Sequence, residues 1–100
     1  MAATQAFILI NHLKVEPSRQ EALLALLKQN IETVVSTLDG WKSSRLIAAR
    51  DGESVIIHSE WATLAAVDAM RNDPRMRAYF PKILELASFD STLGDMVFEA

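Results

Sequence analysis

The sequence predicts an α+β fold whose strands and helices follow one another in the order βαββαβ. Two observations carry this prediction. Apolar residues alternate along some segments and recur at helical spacing along others, and Pro, Gly or Asp marks most changes of period. The order is that of the ferredoxin-like arrangement, a four-stranded antiparallel sheet with its helices on one face. At 100 residues the chain is predicted to form a single domain spanning residues 1–100.

The first strand is predicted over Ala6 to Val15, where the chain alternates but stays apolar on both faces. The residues expected to face the helices are Phe7, Leu9, Asn11 and Leu13, and those expected on the other face are Ile8, Ile10, His12 and Lys14. Ser18 and Glu21 then have the spacing of a capping box, which predicts the start of a helix. Because apolar residues recur at helical intervals after this box, the first helix is predicted from Ser18 to Thr37.

The middle of the chain predicts an antiparallel strand pair. Asp39-Gly40 ends the first helix, and a more polar strand follows over Trp41 to Arg50. Asp51-Gly52 is typical of a two-residue hairpin turn, and the third strand is predicted over Ser54 to Trp61. Strands two and three should therefore lie side by side.

The second helical region is interrupted once. A short helix is predicted over Thr63 to Arg71, and a new helix then begins with Asp73 as its cap and Pro74 at its first position. Pro81 is expected to bend this helix. The chain is predicted to close with a fourth strand over Leu93 to Glu99.

Composition excludes several classes of function. The net charge of −3 gives no basic surface, so a nucleic-acid partner is not expected. The chain has no cysteine, which excludes disulfides, thiolate metal sites and cysteine nucleophiles. The apolar run Ala6 to Ile10 is broken by Asn11 and His12 and has no basic leader, so neither a signal peptide nor a membrane span is expected. A cytoplasmic location is predicted.

The predicted sheet has more apolar surface than its helices can cover. Two crossover helices cover one face of a four-stranded sheet, yet Ile8, Ile10 and Ile56 fall on the opposite face. Face-to-face packing of two copies buries such a surface most simply, because two-fold pairing is the commonest form of assembly. The sequence therefore predicts a homodimer.

Trp61, at the end of strand three, is the leading candidate for a ligand contact. It falls where the sheet meets the next helix, so a small planar ligand could stack on it, although a lone tryptophan at a strand end is more often a residue that fills the core. The Asn11 amide shares the helix-facing side and could donate to a ligand oxygen or bond to neighbouring backbone. Tyr79, on the last helix, could orient a phenol or pass a proton, or could be core.

Several segments, taken in order, resemble the antibiotic biosynthesis monooxygenase family. They are Leu9 to Val15, Asp39-Gly40-Trp41, Asp51-Gly52, Glu60-Trp61 and Asp73 to Tyr79. The resemblance implies a dimeric α+β barrel with a pocket in each protomer, between sheet and helices. It also implies chemistry in which anthrones or hydroquinones are oxidised to quinones by O2 without metal, flavin or haem.

The chain departs from the family pattern at named positions. Oxygenases of the polyketide branch have an asparagine four residues before the tryptophan, where this chain has Ile57, and a histidine on strand two, near Ile47 here. The haem-degrading branch shares the strand-one asparagine, matched by Asn11, but has its iron-ligating histidine at about the place of Tyr79. Haem is therefore not expected. The quinol-oxidising branch resembles Pro74 to Tyr79 most closely.

These observations give a defined candidate site. Asn11, Trp61 and Tyr79 are predicted as catalytic residues, with no metal and no cofactor. The residues predicted to contact the substrate are Leu9, Leu13, Ile57, Ser59, Met70 and Phe80. His12 and His58 are expected on the opposite face by strand parity.

Three hypotheses remain open on the sequence alone. The first is a cofactor-free oxygenase acting on a small aromatic or quinol with O2. The second is a different small-molecule enzyme on the same scaffold, such as an isomerase, for which no pocket acid is visible. The third is a non-catalytic binding or assembly module whose pocket is filled by Trp61, Tyr79 and Met70.

Overall fold

The computed structural model describes residues 6–100, so the first five residues of the predicted domain lie outside the described residues. Short 3-10 turns at Pro17–Arg19 and Val35–Thr37 flank the first helix. The strands are β1 (Phe7–Val15), β2 (Trp41–Ala48), β3 (Ser54–Trp61) and β4 (Ala87–Asp95). The helices are α1 (Gln20–Thr33), α2 (Leu64–Asn72) and α3 (Pro74–Leu86).

The four strands form one antiparallel sheet in the order β2-β3-β1-β4. This is the α+β ferredoxin-like fold, as predicted. In the register of the sheet, Asn11 of β1 lies opposite Ile57 of β3 on one side and Ser91 of β4 on the other. Within residues 6–100, no helix combines the length and the apolar character that a membrane crossing needs.

The predicted first helix is interrupted near its end. The α-helical part stops at Thr33, and Val34 takes φ −121° and ψ −63° before a 3-10 turn completes the segment. Thr33, Val34 and Val35 are all β-branched, and such residues lose side-chain freedom against the preceding helical turn. Burial of Val34 and Val35 in the core then fixes the irregular turn.

The predicted two-residue hairpin between β2 and β3 is wrong. Ala49 N donates to Ser54 O (3.0 Å), so the residues from Arg50 to Glu53 form the loop. Gly52, with φ +80°, donates its N–H to Ala49 O at 3.1 Å. Within this loop Glu53 N donates to Asp51 Oδ1 at 2.9 Å, and Glu53 O accepts from Val15 N at 3.1 Å at the end of β1.

The fourth strand was predicted too late in the chain. It runs over Ala87–Asp95 and follows α3 directly, instead of Leu93 to Glu99. Asp90, Ser91 and Thr92 interrupt the alternation of Ala87, Phe89 and Leu93 that would mark this segment as a strand. Backbone pairing with the full length of β1 decides its extent, since ladder hydrogen bonds do not depend on the side chains.

Asp73 caps α3 as predicted, and Thr63, predicted as the first residue of α2, is its cap. The capping box predicted at Ser18 to Glu21 is wrong, because α1 begins at Gln20 without a side-chain cap. Thr63 Oγ1 accepts from Ala66 N (3.0 Å) at the start of α2, and Asp73 Oδ1 accepts from Arg75 N (2.8 Å) at the start of α3. The side-chain hydrogen bond from Arg75 lowers the pKa of the Asp73 carboxyl below its usual range. Pro81 lies within α3, which continues to Leu86, and the predicted bend stays a prediction.

The core lies between the inner face of the sheet and the helices. One buried cluster surrounds Trp61 and the other surrounds Leu13 and Leu27. On the outer face of the sheet Ile8 is buried and Ile56 half-buried, whereas the side chains of Ile10 and Ile47 are 38% and 48% exposed.

Candidate functional site

A cavity of about 300 Å³ lies between the inner face of the sheet and the three helices. Its floor is formed by Leu9, Asn11, Leu13, Ser44, Ile57, Ser59, Trp61, Phe89 and Ser91. Its roof is formed by Leu27, Asn30, Ile31, Val35, Met70, Arg71, Met76, Phe80 and Ile83. Most of these side chains are apolar, so the few polar groups stand in surroundings that strengthen their interactions.

Most residues predicted to form the site line this cavity. Of the residues proposed as catalytic, Asn11 and Trp61 lie on the floor and Tyr79 does not line the cavity. The residues predicted as substrate contacts that line it are Leu9, Leu13, Ile57, Ser59, Met70 and Phe80. The structure thus brings together residues from β1, β3, α2 and α3 that are far apart in the chain.

Tyr79 packs against the buried cluster that contains Leu9 and Trp61, but it does not line the cavity. Its hydroxyl lies 3.4 Å from Thr33 Oγ1 of α1, and Lys82 Nζ lies 5.5 Å from the centre of its ring. Successive helix residues are rotated by about 100°, and in α3 it is the next residue, Phe80, that lines the cavity. Tyr79 instead packs on the flank of α3 that faces α1.

Trp61 has a buried donor without a partner. The side chain is 1% exposed, and its Nε1 has no hydrogen-bond partner among residues 6–100. An indole N–H can only donate, and a buried donor left without an acceptor costs about 1–3 kcal/mol. The rest of the ring packs in the core with Leu9, Val67 and Met70. Trp61 is therefore both a core residue and a wall of the cavity.

Asn11 is held by the neighbouring edge strand. Ser91 Oγ of β4 donates to Asn11 Oδ1, so the carbonyl oxygen of the side-chain amide is occupied. The amide N–H2 group is then the part of Asn11 left for other partners. This arrangement orients Asn11 as a donor on the cavity floor.

A second polar group lies where β2 pairs with β3. Trp41 Nε1 donates to Ser44 Oγ at 2.9 Å, and Ser44 Oγ lies 2.8 Å from Ser59 Oγ. Ser44 and Ser59 are directly opposite each other in the sheet, and both line the cavity. Ser59 is 5% exposed, so its hydroxyl is shielded from bulk solvent.

Some cavity residues were not predicted from the sequence. Asn30 is 4% exposed, and its Nδ2 lies 3.3 Å from Met76 Sδ. Its place on the apolar face of α1, three residues after Leu27, is the signal that could have identified it. Phe89 and Ser91 were missed because the predicted fourth strand began too late, and Arg71 at the end of α2 carried no distinguishing pattern.

The two histidines do not line the cavity. His12 lies opposite Ile56 and His58 lies opposite Ile10, so both alternate with the residues of the cavity floor, as strand parity predicted. Among residues 6–100 there is no cluster of three or more His, Asp or Glu side chains placed to hold a metal ion.

Solved structures share this architecture over nearly the whole chain. Rv0793 from Mycobacterium tuberculosis superposes with a TM-score of 0.82 at 26% identity, covering 95% of this chain and 98% of that one. A monooxygenase from the gene ActVA-Orf6 of Streptomyces coelicolor, solved in complex with the ligand Nanaomycin D, gives a TM-score of 0.86 at 18% identity, with 95% and 90% covered. SnoaB, a cofactor-independent oxygenase from Streptomyces nogalater, gives 0.79 at 16% identity, with 97% of each chain covered. At these low identities, the likenesses to the last two structures show that the fold is shared.

The comparisons of amino-acid sequence identify the family of the chain. The tetracenomycin-F1 monooxygenase of Streptomyces glaucescens is 34% identical over 74 residues, which are 74% of this chain. The match spans 66% of that relative, just under two thirds of its length. The family model for antibiotic biosynthesis monooxygenase matches residues 6–82. The chain therefore belongs to the antibiotic biosynthesis monooxygenase family.

Proposed function

We propose that the protein is a cofactor-independent monooxygenase that oxidises a small aromatic anthrone or quinol with O2. The observation that carries this proposal is the buried Trp61 N–H, which lacks a protein acceptor and belongs to a wall of a largely apolar cavity. A substrate oxygen in the cavity would accept this hydrogen bond. Membership of the family and the likeness to a tetracenomycin-F1 monooxygenase support the same activity.

The reaction needs little from the protein beyond binding and charge stabilisation. Once deprotonated, an anthrone is electron-rich enough to reduce O2 itself. One oxygen atom of O2 becomes the new carbonyl oxygen, the other leaves as water with the two methylene hydrogens, and the four electrons come from the substrate. Donors aimed at the substrate oxygen favour its anionic form, and a dry cavity strengthens them.

The cavity residues divide into donors and apolar walls. Trp61 Nε1 and the Asn11 amide are the donors proposed to stabilise the substrate anion, and Arg71 adds a positive charge to the lining. The proposed apolar contacts are Leu9, Leu13, Ile57, Met70 and Phe80. Among the described residues, the lining contains no carboxylate and no imidazole, so the substrate is proposed to lose its proton to water.

This proposal predicts oxygen consumption by the purified protein. Incubation with a panel of anthrones and hydroquinones in an oxygen electrode should accelerate uptake, with one O2 consumed per quinone formed. With ¹⁸O2, one labelled atom should enter the quinone formed from an anthrone, or the hydroxyquinone formed from a hydroquinone, and the other should leave as water. Because the proton is lost to water, kcat/KM should rise with pH and level off near the pKa of each substrate.

Other outcomes of this panel would favour different functions. Binding without any acceleration would support a non-catalytic small-molecule-binding module. Formation of hydrogen peroxide with no label in the product would indicate an oxidase. Isomerisation of a panel compound in the absence of O2 would support the second enzymatic hypothesis.

We also propose that the protein is a homodimer that packs through the outer face of its sheet. Ile10 and Ile47 present exposed apolar side chains there, while Ile56 lies half-buried between their strands. Two apolar sheets packed face to face would remove this surface from water.

The dimer is testable by sedimentation. Wild type should sediment at twice the monomer mass at micromolar concentration, and Ile10→Lys with Ile47→Lys should shift the mass toward monomer because buried charges are costly. Leu64→Lys is the matched control, since Leu64 is 49% exposed on α2, away from the outer face. A wild-type protein at monomer mass would contradict the dimer.

A further inference from the structure

We propose that Ser44 and Ser59, ordered by Trp41, form a second recognition point that donates a hydrogen bond to a ligand oxygen. This inference rests on the proposed function, because it identifies the class of substrate that the same cavity takes. The expected ligand is a planar fused-ring aromatic with two acceptor oxygens at separate positions.

The hydrogens in this group outnumber the acceptors that the group itself provides. Trp41 Nε1 uses its hydrogen on Ser44 Oγ, and a single hydrogen lies between Ser44 Oγ and Ser59 Oγ. The indole and two hydroxyls carry three hydrogens in total, since each hydroxyl has one. Whichever serine donates to the other, one hydroxyl hydrogen is left over. Among residues 6–100 it has no acceptor.

Burial makes this surplus hydrogen significant. Ser59 is 5% exposed and Ser44 half-buried, and both line the same largely apolar cavity as Trp61. A hydroxyl in such surroundings gains more from an acceptor than it would in water. Ser44, Ser59 and Trp61 thus all line one cavity floor and bring two donors to it. The Trp61 N–H has no partner among the described residues, and the serine pair has one hydroxyl hydrogen more than its two hydrogen bonds use.

The sheet register sets the spacing between the recognition points. Ser59 and Trp61 are two residues apart on the same face of β3, which corresponds to about 6.6 Å along the strand. Ser59 lies opposite Leu9, so Asn11 is its diagonal neighbour at about 7–8 Å. These are separations between backbone positions, and they place the donors at different points of the floor. Leu9 and Ile57, on the same floor, provide an apolar surface for a fused-ring system.

A matched pair of ligands tests whether Ser44 and Ser59 recognise a ligand oxygen or only support the sheet. Anthrone and 9,10-anthraquinone share a tricyclic frame, but anthraquinone carries a second carbonyl oxygen on the opposite side of the central ring. Dissociation constants are measured by equilibrium dialysis without O2, so that no turnover occurs. Wild type is expected to bind anthraquinone about tenfold more tightly, the effect of one hydrogen bond.

Three serine variants and one control variant test the origin of this preference. The double variant Ser44→Ala/Ser59→Ala removes both hydroxyls, so the two ligands should bind equally. Ser59→Thr keeps a hydroxyl and should retain the preference. Ser43→Ala is the matched control, because Ser43 precedes Ser44 on β2 but pairs with Glu60 on the outer face and is exposed. Should the double variant not fold, Ser59→Ala alone should reduce the preference.

The outcomes distinguish this inference from the proposed function. Equal binding of the two ligands by wild type, or an equal loss of affinity for both in the double variant, overturns the recognition point. A preference that disappears only in the double variant supports it. If this preference is present but no oxygen is consumed with any substrate, the monooxygenase proposal fails and the recognition point stands.

Discussion

Replacing Trp61 by phenylalanine should lower kcat for the best substrate of the panel by about 100-fold, the effect of removing one preorganised donor to a developing anion. Phenylalanine keeps an aromatic ring at the end of β3 but removes the N–H that has no protein acceptor. The quantity to measure is the initial rate of O2 uptake at saturating substrate. The quinone product, which retains a carbonyl oxygen, should also bind about tenfold more weakly.

A ligand without oxygen provides the control for Trp61→Phe. Naphthalene cannot accept a hydrogen bond, so its affinity should fall by no more than about fourfold, from the lost ring area alone. A large loss of naphthalene affinity would mean that the cavity had collapsed. Unchanged turnover in a folded variant would contradict the role of the Trp61 N–H.

Gly40→Ala should be the most destabilising of the alanine substitutions at glycine. Gly40 has φ +82°, and a Cβ built there would lie 2.5 Å from Ala66 Cβ of α2. The left-handed backbone costs an alanine about 1–2 kcal/mol, and forced overpacking adds about 1–3 kcal/mol. The free energy of unfolding in urea should therefore fall by about 2–5 kcal/mol, which threatens folding of a domain of this size.

The remaining glycines separate backbone strain from steric overlap. Gly52 has φ +80°, but its nearest contact would be Pro17 Cβ at 3.1 Å, so alanine there should show mainly the backbone cost. Gly94 would meet nothing within 4 Å, and alanine there should change stability little. The double variant Gly40→Ala/Ala66→Gly should regain part of the loss. If all three single variants were equally stable, the close approach of α2 to Gly40 would be contradicted.

The parts of the fold that follow local rules could be predicted from the sequence. β3 has the predicted bounds and β1 begins one residue later than predicted, because alternating apolar residues fix which face each side chain takes. The Asp73 cap and Pro74 carry enough local chemistry to place the start of α3, and the apolar spacing of α2 places its start within a residue. The alternation of side chains along β1 and β3 also places Asn11, Ser59 and Trp61 on one face of the sheet, and this inference does not depend on where the helices lie.

Features set by tertiary contacts could not be predicted in this way. β4 owes its position to backbone pairing with β1, which its polar sequence does not show, and Ser91 was missed with it. Asn30 is polar on a buried helix face, where burial depends on how α1 meets α3 through Met76. Tyr79 and Phe80 are neighbours on α3, and only the orientation of that helix decides which of them reaches the cavity.

The strands that build the cavity floor also build the outer surface of the sheet. On β1 the cavity residues Leu9 and Asn11 alternate with the outward residues Ile10 and His12. Substitutions can therefore change the ligand site and the outer face independently, position by position. Insertion or deletion of one residue would exchange the two sets of side chains. Divergence of these strands within the family should accordingly proceed by replacement, with length changes confined to the loops.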